Sequence, residues 1–265
     1  MADPESVIEW KPAKLLQSRE IAPEFALLVL NQPLRNSNNL RKLWRNSSLR
    51  VAADGGANRL HELSSFQGKF SNLQVIIGDL DSLHKDVRDF YSSQPTPAQV
   101  IHETDQDSTD FAKAITWIRK ERPAGMDIVA LGGIGGRVDQ GLSQLHHLYL
   151  FQQDPSYAQG RIYLLSGSSM TFLLKTGAHR IRVRGDEEGA PSVFGKYVGI
   201  IPFKGPSRIT TSGLVWDVSD WQTEIGGKMS TSNHVQPDVE YVEVQTTEDV
   251  LFTIALGKVD SEDES

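Results

Sequence analysis

The amino-acid sequence predicts an α/β protein, with an N-terminal doubly wound, mostly parallel α/β domain followed by a C-terminal antiparallel β-sandwich. Between about residues 24 and 167, short apolar runs alternate with longer stretches of helical periodicity. After Ser168 the helical periodicity disappears, and Gly and Thr become frequent. A chain of 265 residues is long enough for two domains, which we place at residues 20–167 and 168–260.

Six short apolar runs in the first half, each bounded by Gly, Asn or Asp, predict parallel strands that are buried on both faces. They cover residues 25–30, 49–53, 74–77, 100–102, 127–131 and 161–165. The clearest predicted helix begins at Ser108 or Thr109, either of which can cap it, and ends at residue 121. A second helix is predicted over residues 138–151, with Leu142, Leu145 and Tyr149 on one stripe.

Six further runs after residue 168 predict the strands of the β-sandwich. They cover residues 171–174, 179–183, 197–202, 207–211, 239–244 and 250–255. Residues 185–195 predict a surface hairpin or loop, and the acidic residues 260–265 predict a frayed tail.

Composition excludes several classes of protein. With 27 basic and 34 acidic residues the net charge is −7, which argues against a general binder of nucleic acid or anionic membranes. The absence of cysteine excludes disulfides, thiolate nucleophiles, zinc fingers and iron–sulfur clusters, and the seven His residues form no zinc motif. The acidic segment at residues 1–12 lacks the apolar core of a secretory signal, so we expect a soluble, cytoplasmic protein.

Four of the predicted strands lead into acidic or Gly-rich turns. If the sheet is parallel, these turns all lie at its carboxyl edge, where open α/β sheets bind ligands. The turns cover residues 54–58, 78–82, 103–110 and 132–140.

The residue types in these turns indicate metal-assisted phosphoryl chemistry. Neighbouring carboxylates raise one another's pKa or require a cation, and oxygen ligands without His or Cys suit Mg²⁺ or Mn²⁺. The glycines let backbone N–H groups approach phosphate oxygens, and Arg137 adds further donors.

Each turn on its own also has a purely structural interpretation. The Asp79-x-Asp81 pattern is common in turns, Asp54-Gly-Gly makes a tight turn, and Asp107 and Asp110 can cap a helix. Four such turns in corresponding places favour a functional site. No Gly-Lys pair is followed by Ser or Thr, and Val138 stands where the dinucleotide fingerprint needs Gly, so a nucleotide site must be of another type.

The second half has its own polar cluster, in residues 210–217 and 229–233. Trp216 lies within it beside Asp217 and many hydroxyl groups. Its ring has two interpretations: a core side chain, or a surface that stacks on a flat, cationic heteroaromatic ligand.

In their order along the chain, these motifs resemble those of the thiamine pyrophosphokinases. The matching segments are residues 53–60, 78–82, 105–114, 131–133 with 136–140, 199–202, 210–216 and 230–233. The resemblance spans roughly residues 25–257 and is similar to the eukaryotic, fungal-like branch. It implies the reaction of ATP with thiamine to give AMP and thiamine diphosphate. It further implies a homodimer whose active sites lie at the subunit interface between the α/β domain of one subunit and the β domain of the other.

The resemblance also implies a role for each matching residue. Mg²⁺ would be bound by Asp79, Asp81 and Asp110. The catalytic carboxylates would be these three together with Asp54 and Asp139, either of which is a candidate proton acceptor. The groups near the nucleotide would be Asn58, Gln106, Thr109, Gly133, Arg137 and Gln140. Thiamine would be bound by Trp216, Asp217, Ser230, Thr231, Ser232 and Asn233.

The chain departs from the family pattern at two of these motifs, with Val138 in place of Phe and Asp217 in place of Asn. Two alternatives stay open at this point. One is another Mg²⁺-dependent nucleotide pyrophosphatase or phosphotransferase, and the other is a thiamine or nucleotide sensor that binds without turnover.

Overall fold

The computed structural model describes residues 7–17, 24–34, 37–67, 70–122, 124–184 and 192–257. The chain divides into two compact units. The α/β unit comprises Glu24–Gln153 and Tyr157–Gly167, and the β unit comprises the described parts of Met1–Pro23, Asp154–Ser156 and Ser168–Ser265. The first elements of the chain, β1 (Ile8–Trp10) and a 3-10 helix (Pro12–Leu15), therefore belong to the β unit.

The strands of the α/β unit are all parallel and lie in the order β7-β6-β2-β3-β4-β5. Their bounds are β2 (Phe25–Val29), β3 (Leu49–Ala53), β4 (Val75–Gly78), β5 (Gln99–His102), β6 (Asp127–Leu131) and β7 (Ile162–Leu165). The chain moves outward from β2 to β5 and then returns to place β6 on the other side of β2. The turns after β2 and β6 thus flank the point where strand order reverses, which is where open α/β sheets bind ligands.

Five helices connect these strands, as expected for parallel strands that need a crossover. They are α1 (Ser37–Asn46), α2 (Gly56–Gln67), α3 (Lys85–Ser92), α4 (Asp110–Glu121) and α5 (Val138–Phe151). The predicted helix over 108–121 is α4, and Thr109 is its cap because its hydroxyl accepts the N–H of Ala112. The predicted helix over 138–151 is α5, but its buried face differs from the predicted stripe: Leu142 is exposed, whereas Gln144 and His147 are buried.

The β unit contains a five-stranded sheet, β1-β9-β14-β11-β12, and the antiparallel strands β13-β10-β15-β8. Their bounds are β8 (Ser169–Leu174), β9 (Gly177–Arg182), β10 (Phe194–Ile201), β11 (Ser207–Ser212), β12 (Trp221–Thr223), β13 (Ser230–His234), β14 (Tyr241–Thr246) and β15 (Val250–Leu256). Trp10 of the first sheet stacks on Phe172 of β8, with ring centroids 4.6 Å apart, so the two layers share an aromatic core.

All twelve predicted strands are present, with ends that differ by no more than three residues. Three short strands were not predicted, namely β1, β12 and β13. One of them, β1, precedes the predicted β domain and pairs in parallel with β9, whereas the strand pairs among β8–β15 are antiparallel, as predicted. The predicted 185–195 loop is described only from residue 192, and β10 begins at Phe194. Residues 260–265 lie outside the described residues.

Candidate active site

A cleft of about 470 Å³ opens at the carboxyl edge of the parallel sheet in the α/β unit. It is lined by the turns after β2, β3, β4 and β6 and by the first residues of α4. The cleft therefore covers the point where strand order reverses, where the parallel sheet was expected to bind a ligand.

Three carboxylates meet in this cleft: Asp54 after β3, Asp79 after β4, and Asp110 at the start of α4. One oxygen of each lies within 4.8 Å of the corresponding oxygens of the other two. We call these three residues the acid triad. Three carboxylates at such distances suit a divalent cation with a preference for oxygen ligands.

The close approach of these carboxylates depends on Gly78, the last residue of β4. A Cβ atom at this position would lie 2.8 Å from the Cβ of Asp54 and 2.8 Å from Oδ1 of Asp110. Any side chain would push the two acids apart, so the glycine before Asp79 is required by the geometry of the acid triad.

Backbone N–H groups hold one oxygen of each carboxylate. Ser82 donates to Oδ2 of Asp54 at 3.1 Å, and Asp79 donates to Oδ1 of Asp110 at 3.1 Å. The N–H of Asp81 donates to Oδ1 of Asp79 at 3.2 Å. These bonds fix the orientation of the carboxylates and leave their other oxygens for a ligand.

Asp54 is the most buried member of the acid triad, with 4% of its surface exposed. Burial raises its pKa above the ordinary value of 3.8, and the negative charge of Asp110 acts in the same direction, against hydrogen bonds from Ser82. Its Oδ1 is buried and has no hydrogen-bond partner among the described residues. A buried, unpaired carboxylate oxygen is costly unless a cation or proton binds to it.

Lys113 contacts the acid triad from within α4, a role that sequence reasoning missed. Its Nζ lies 3.2 Å from Oδ1 of Asp110 and 3.9 Å from Oδ2 of Asp79. The side chain of Lys113 is only 4% exposed. The signal in the sequence was its place one helical turn after Asp110, the spacing at which helical side chains meet.

The structure places the predicted metal ligand Asp81 outside the acid triad, as an exposed residue. Leu80 has a φ of +64°, so the chain turns sharply between Asp79 and Asp81. The peptide N–H of Asp81 points to Asp79, but its carboxylate does not join the cluster, and Asp54 takes the third position.

Asn58 and Gln106, both predicted near the nucleotide, do not line the cleft. Asn58 is buried and holds the turn after β4, since its Nδ2 donates to the Ser82 carbonyl at 2.6 Å and its Oδ1 accepts the His84 N–H at 3.1 Å. Gln106 is exposed in the turn before α4. Asn58 thus supports the loop that carries the acids.

Thr109 lines the cleft and is held by a buried histidine of α5 that the sequence did not single out. Nδ1 of His147 donates to the Ser143 carbonyl, and Nε2 of His147 lies 3.1 Å from the Thr109 hydroxyl. Burial lowers the pKa of His147, which favours the neutral ring. In the neutral ring with its proton on Nδ1, Nε2 accepts a hydrogen bond from the Thr109 hydroxyl. The Thr109 oxygen in turn caps α4.

Arg137 and Gln140, both predicted near the nucleotide, line the cleft, whereas Asp139 does not. The guanidinium of Arg137 binds both oxygens of Asp139, with 3.1 Å between Nε and Oδ1, and both side chains are exposed. The hydrogen bond from Arg137 lowers the pKa of Asp139. An exposed, paired carboxylate of lowered pKa is a poor proton acceptor and instead orients Arg137.

Gly133 is buried behind the cleft, and its N–H donates to the Leu165 carbonyl at 3.1 Å. That donor is used within the sheet, so it is not free for a phosphate. The amide side chains of Asn31, Gln32 and Gln144, which sequence reasoning missed, line the cleft.

In the β unit, Trp216 is 58% exposed, which rules out the core interpretation of its ring. Its backbone is fixed by Asn233: the Trp216 N–H donates to Oδ1 of Asn233 at 3.2 Å, and Nδ2 of Asn233 donates to the Trp216 carbonyl at 2.9 Å. The ring of His234 lies 5.2 Å from the ring of Trp216, centroid to centroid. An exposed aromatic face on a fixed backbone is suited to stacking.

The carboxylate of Asp217 is used by its own chain. It accepts the Thr211 hydroxyl at 2.9 Å, the Gly213 N–H at 3.0 Å and the Leu214 N–H at 3.1 Å. Asp217 therefore stabilises the turn that presents Trp216.

The remaining residues predicted to bind thiamine lie on β13. Ser230 is half-buried, Thr231 and Ser232 are exposed, and Asn233 is buried. The hydroxyls of this strand are thus partly accessible, while the Asn233 amide serves the Trp216 backbone.

No helix in the described parts of the chain is both long and apolar enough to cross a membrane.

Comparison with known proteins agrees with both units. A family described as "Thiamin pyrophosphokinase, catalytic domain" matches residues 40–158, and one described as "Thiamin pyrophosphokinase, vitamin B1 binding domain" matches residues 178–251. Thiamine pyrophosphokinase 1 of Arabidopsis thaliana is 40% identical over 250 residues, covering 88% of this chain and 87% of the relative. Thiamine pyrophosphokinase of Saccharomyces cerevisiae is 26% identical over 281 residues, covering 87% of this chain and 85% of the relative.

Solved structures of the same enzyme have a similar fold. Thiamin pyrophosphokinase from Candida albicans aligns with a TM-score of 0.80 and 25% identity, over 97% of this chain and 96% of that one. The crystal structure of the yeast enzyme aligns with a TM-score of 0.81 and 25% identity, over 97% and 94% of the two chains. The chain belongs to the thiamine pyrophosphokinase family.

Proposed function

We propose that this chain transfers the pyrophosphoryl group of ATP to the hydroxyl of thiamine, giving thiamine diphosphate and AMP. The observation that carries the proposal is the acid triad, whose buried Asp54 oxygen has no partner among the described residues. Membership of the thiamine pyrophosphokinase family supports ATP-dependent formation of thiamine diphosphate.

The donor set of the acid triad fits Mg²⁺, which prefers a few carboxylates together with substrate phosphates. Asp79 and Asp110 would hold the ion, with Asp54 at the third corner. Bound there, Mg²⁺ would neutralise charge on the transferred group. Asp81 stays a predicted ligand, exposed beside the acid triad.

The side chains around the acid triad would position the phosphates of the nucleotide. Arg137, oriented by Asp139, and Gln140 would bind phosphate oxygens from the other side of the cleft. Gln106 stays a predicted phosphate contact from its exposed turn. Of the two candidate proton acceptors for the thiamine hydroxyl, Asp54 is favoured over Asp139, because it lies in the cleft and burial raises its pKa.

We assign thiamine binding to the exposed ring of Trp216, which would stack on the cationic heteroaromatic ring of the substrate. The hydroxyls of Ser230, Thr231 and Ser232 would add hydrogen bonds, while Asp217 and Asn233 hold the turn in shape.

We further propose a homodimer that acts in the cytoplasm, with active sites at the subunit interface. Each unit exposes large apolar side chains that a partner would cover. Val138 on α5 is 76% exposed and Leu142 is 48% exposed, and in the β unit Ile225 is 59% exposed. Sedimentation equilibrium tests the dimer, since a Leu142→Asp variant should shift the mass toward the monomer if α5 lies in the interface.

The experiment that tests the reaction uses ATP labelled separately at its β and γ phosphorus, mixed with thiamine, Mg²⁺ and the purified chain. Both labels should appear in thiamine diphosphate, with an equal amount of AMP. Thiamine monophosphate with ADP would contradict pyrophosphoryl transfer, labelled pyrophosphate would indicate a nucleotide pyrophosphatase, and binding without product would indicate a sensor.

A further inference from the structure

Lys113 lies one helical turn after Asp110 in α4, and the motifs assign it no role. Its side chain is 4% exposed, and its ammonium forms ion pairs with Asp110 at 3.2 Å and Asp79 at 3.9 Å. Because the side chain is enclosed, it reaches the acid triad from inside the fold and not from solution.

The burial of the Lys113 ammonium requires a physical explanation. Removing the charge from water is costly, and an apolar side chain of similar length would fill the same space at lower cost. Arg137, the basic residue among those lining the cleft, is exposed and paired with Asp139. Lys113 is therefore the cation that the fold itself holds against the acid triad.

The ammonium fixes both the charge and the geometry of the acid triad. With all three carboxylates ionised, Lys113 reduces the net charge from −3 to −2, by counting its single positive charge against theirs. Oδ1 of Asp110 accepts from both the Lys113 ammonium and the Asp79 N–H, so Oδ2 of Asp110 is the oxygen left for a ligand.

We propose that Lys113 makes capture of the divalent cation depend on the nucleotide. The fixed positive charge lowers the affinity of the acid triad for a free divalent cation, so the ion is bound firmly only when the polyphosphate of ATP supplies further oxygens. Lys113 is thus a positioning residue that acts through Asp79 and Asp110. The inference rests on the proposed function, since it takes ATP as the source of those oxygens.

The test measures binding of Mn²⁺ alone, without nucleotide, by electron paramagnetic resonance of the free ion. Lys113→Met should bind Mn²⁺ at least about tenfold more tightly than the unaltered chain, because a competing positive charge has been removed. Lys120→Met is the matched control: it removes an exposed lysine from the same helix and should leave Mn²⁺ affinity unchanged.

A second variant separates the effect of the Lys113 charge from its effect on the orientation of Asp110. It also serves as the test if Lys113→Met does not fold. Lys113→Gln retains a hydrogen-bond donor for Asp110 but carries no charge, so it too should bind Mn²⁺ more tightly. Mn²⁺ affinity that is unchanged or weaker in the folded Lys113 variants would overturn the proposal.

The two proposals fail separately. Unaltered protein that forms thiamine diphosphate, together with Lys113 variants of unchanged Mn²⁺ affinity, would overturn the role of Lys113 alone. Unaltered protein that forms no thiamine diphosphate would overturn the proposed function and with it the nucleotide dependence assigned to Lys113.

Discussion

The cleft of the α/β unit and the surface around Trp216 in the β unit both present acidic and amide side chains, in turns or at the elements next to them. In the cleft, the backbone N–H of Ser82 donates to Oδ2 of the buried Asp54, and Oδ1 of Asp54 is left without a partner among the described residues. Around Trp216, the Asp217 carboxylate accepts three hydrogen bonds, and both ends of the Asn233 amide bind the Trp216 backbone.

The number of hydrogen bonds that a carboxylate accepts from its own chain distinguishes a group available to a ligand from a group that supports the fold. A buried polar group is stable when its own chain satisfies it, and it is costly when it is left unpaired. The Asp217 carboxylate accepts hydrogen bonds from the turn that it stabilises, so its oxygens serve the fold. Oδ1 of Asp54 has no hydrogen-bond partner among the described residues, and the pKa of Asp54 is raised, so this carboxylate is available to a ligand.

The largest expected effect is on turnover, and it should distinguish Asp79 of the acid triad from the exposed Asp81. Asp79→Asn should reduce turnover by about 10²–10³-fold, since it removes a ligand of the divalent cation that would offset the negative charge of the transferred group. Asp81→Asn should reduce turnover by about tenfold or less, because its carboxylate lies outside the acid triad. Steady-state assays of thiamine diphosphate measure both, with urea unfolding to check the fold. Equal losses in the two variants would restore Asp81 as a full metal ligand.

The next effect concerns the stacking surface. Trp216→Ala should raise the KM for thiamine by about tenfold or more, with a smaller change in kcat, because the lost contact is with the substrate ring. Val215→Ala removes a neighbouring exposed apolar side chain and should leave the KM unchanged. An unchanged KM for thiamine in Trp216→Ala would contradict the assignment of Trp216 to thiamine binding.

A third prediction concerns stability and its pH dependence. Because the pKa of Asp54 is raised, its ionised form is less stable in the folded than in the unfolded chain. The contribution of Asp54 to folding stability therefore falls as the pH rises from 3.8 through the raised pKa. At neutral pH and without metal, Asp54→Asn should raise the free energy of unfolding by about 1 kcal/mol, while turnover should fall.

Urea unfolding in EDTA at several pH values measures this effect. The advantage of Asp54→Asn should shrink as the pH falls, because the carboxyl group of the unaltered chain becomes neutral as well. A variant that is less stable at neutral pH and inactive would mean that Asp54 mainly supports the fold.

The smallest expected effect on turnover is that of replacing the supporting acid. Asp217→Asn keeps one acceptor but weakens the bonds from Thr211, Gly213 and Leu214, so it should cost about 1–2 kcal/mol of folding free energy. The melting temperature should fall by about 2–4 °C for each kcal/mol. Unchanged stability together with a higher KM for thiamine would instead make Asp217 a ligand for the cationic substrate.

Much of the fold could be predicted because its strands are carried by apolar runs bounded by turn residues. The three strands that were missed lack that signal: β1 and β12 have only three residues each, and β13 is the polar sequence Ser-Thr-Ser-Asn-His. The pairing of β13 with β10 is a long-range contact, which no local pattern contains.

The position of the candidate site could also be predicted, since turns that follow parallel strands meet at one edge. Which of Asp54 and Asp81 lies close to Asp79 and Asp110 could not be predicted, because this depends on the positive φ of Leu80 and on the close approach that Gly78 permits. The burial of Lys113 and the bond from Thr109 to His147 were likewise missed. Those contacts depend on how helices pack, and a motif spacing does not encode that.

We expect the acid triad to hold the divalent cation of the reaction. Anomalous diffraction from crystals grown with Mn²⁺, thiamine and an α,β-non-hydrolysable ATP analogue would locate that ion. A manganese peak should then be bonded to oxygens of at least two of Asp54, Asp79 and Asp110, at about 2.0–2.3 Å. A manganese peak bonded to none of the three, with the nucleotide in place, would contradict this expectation.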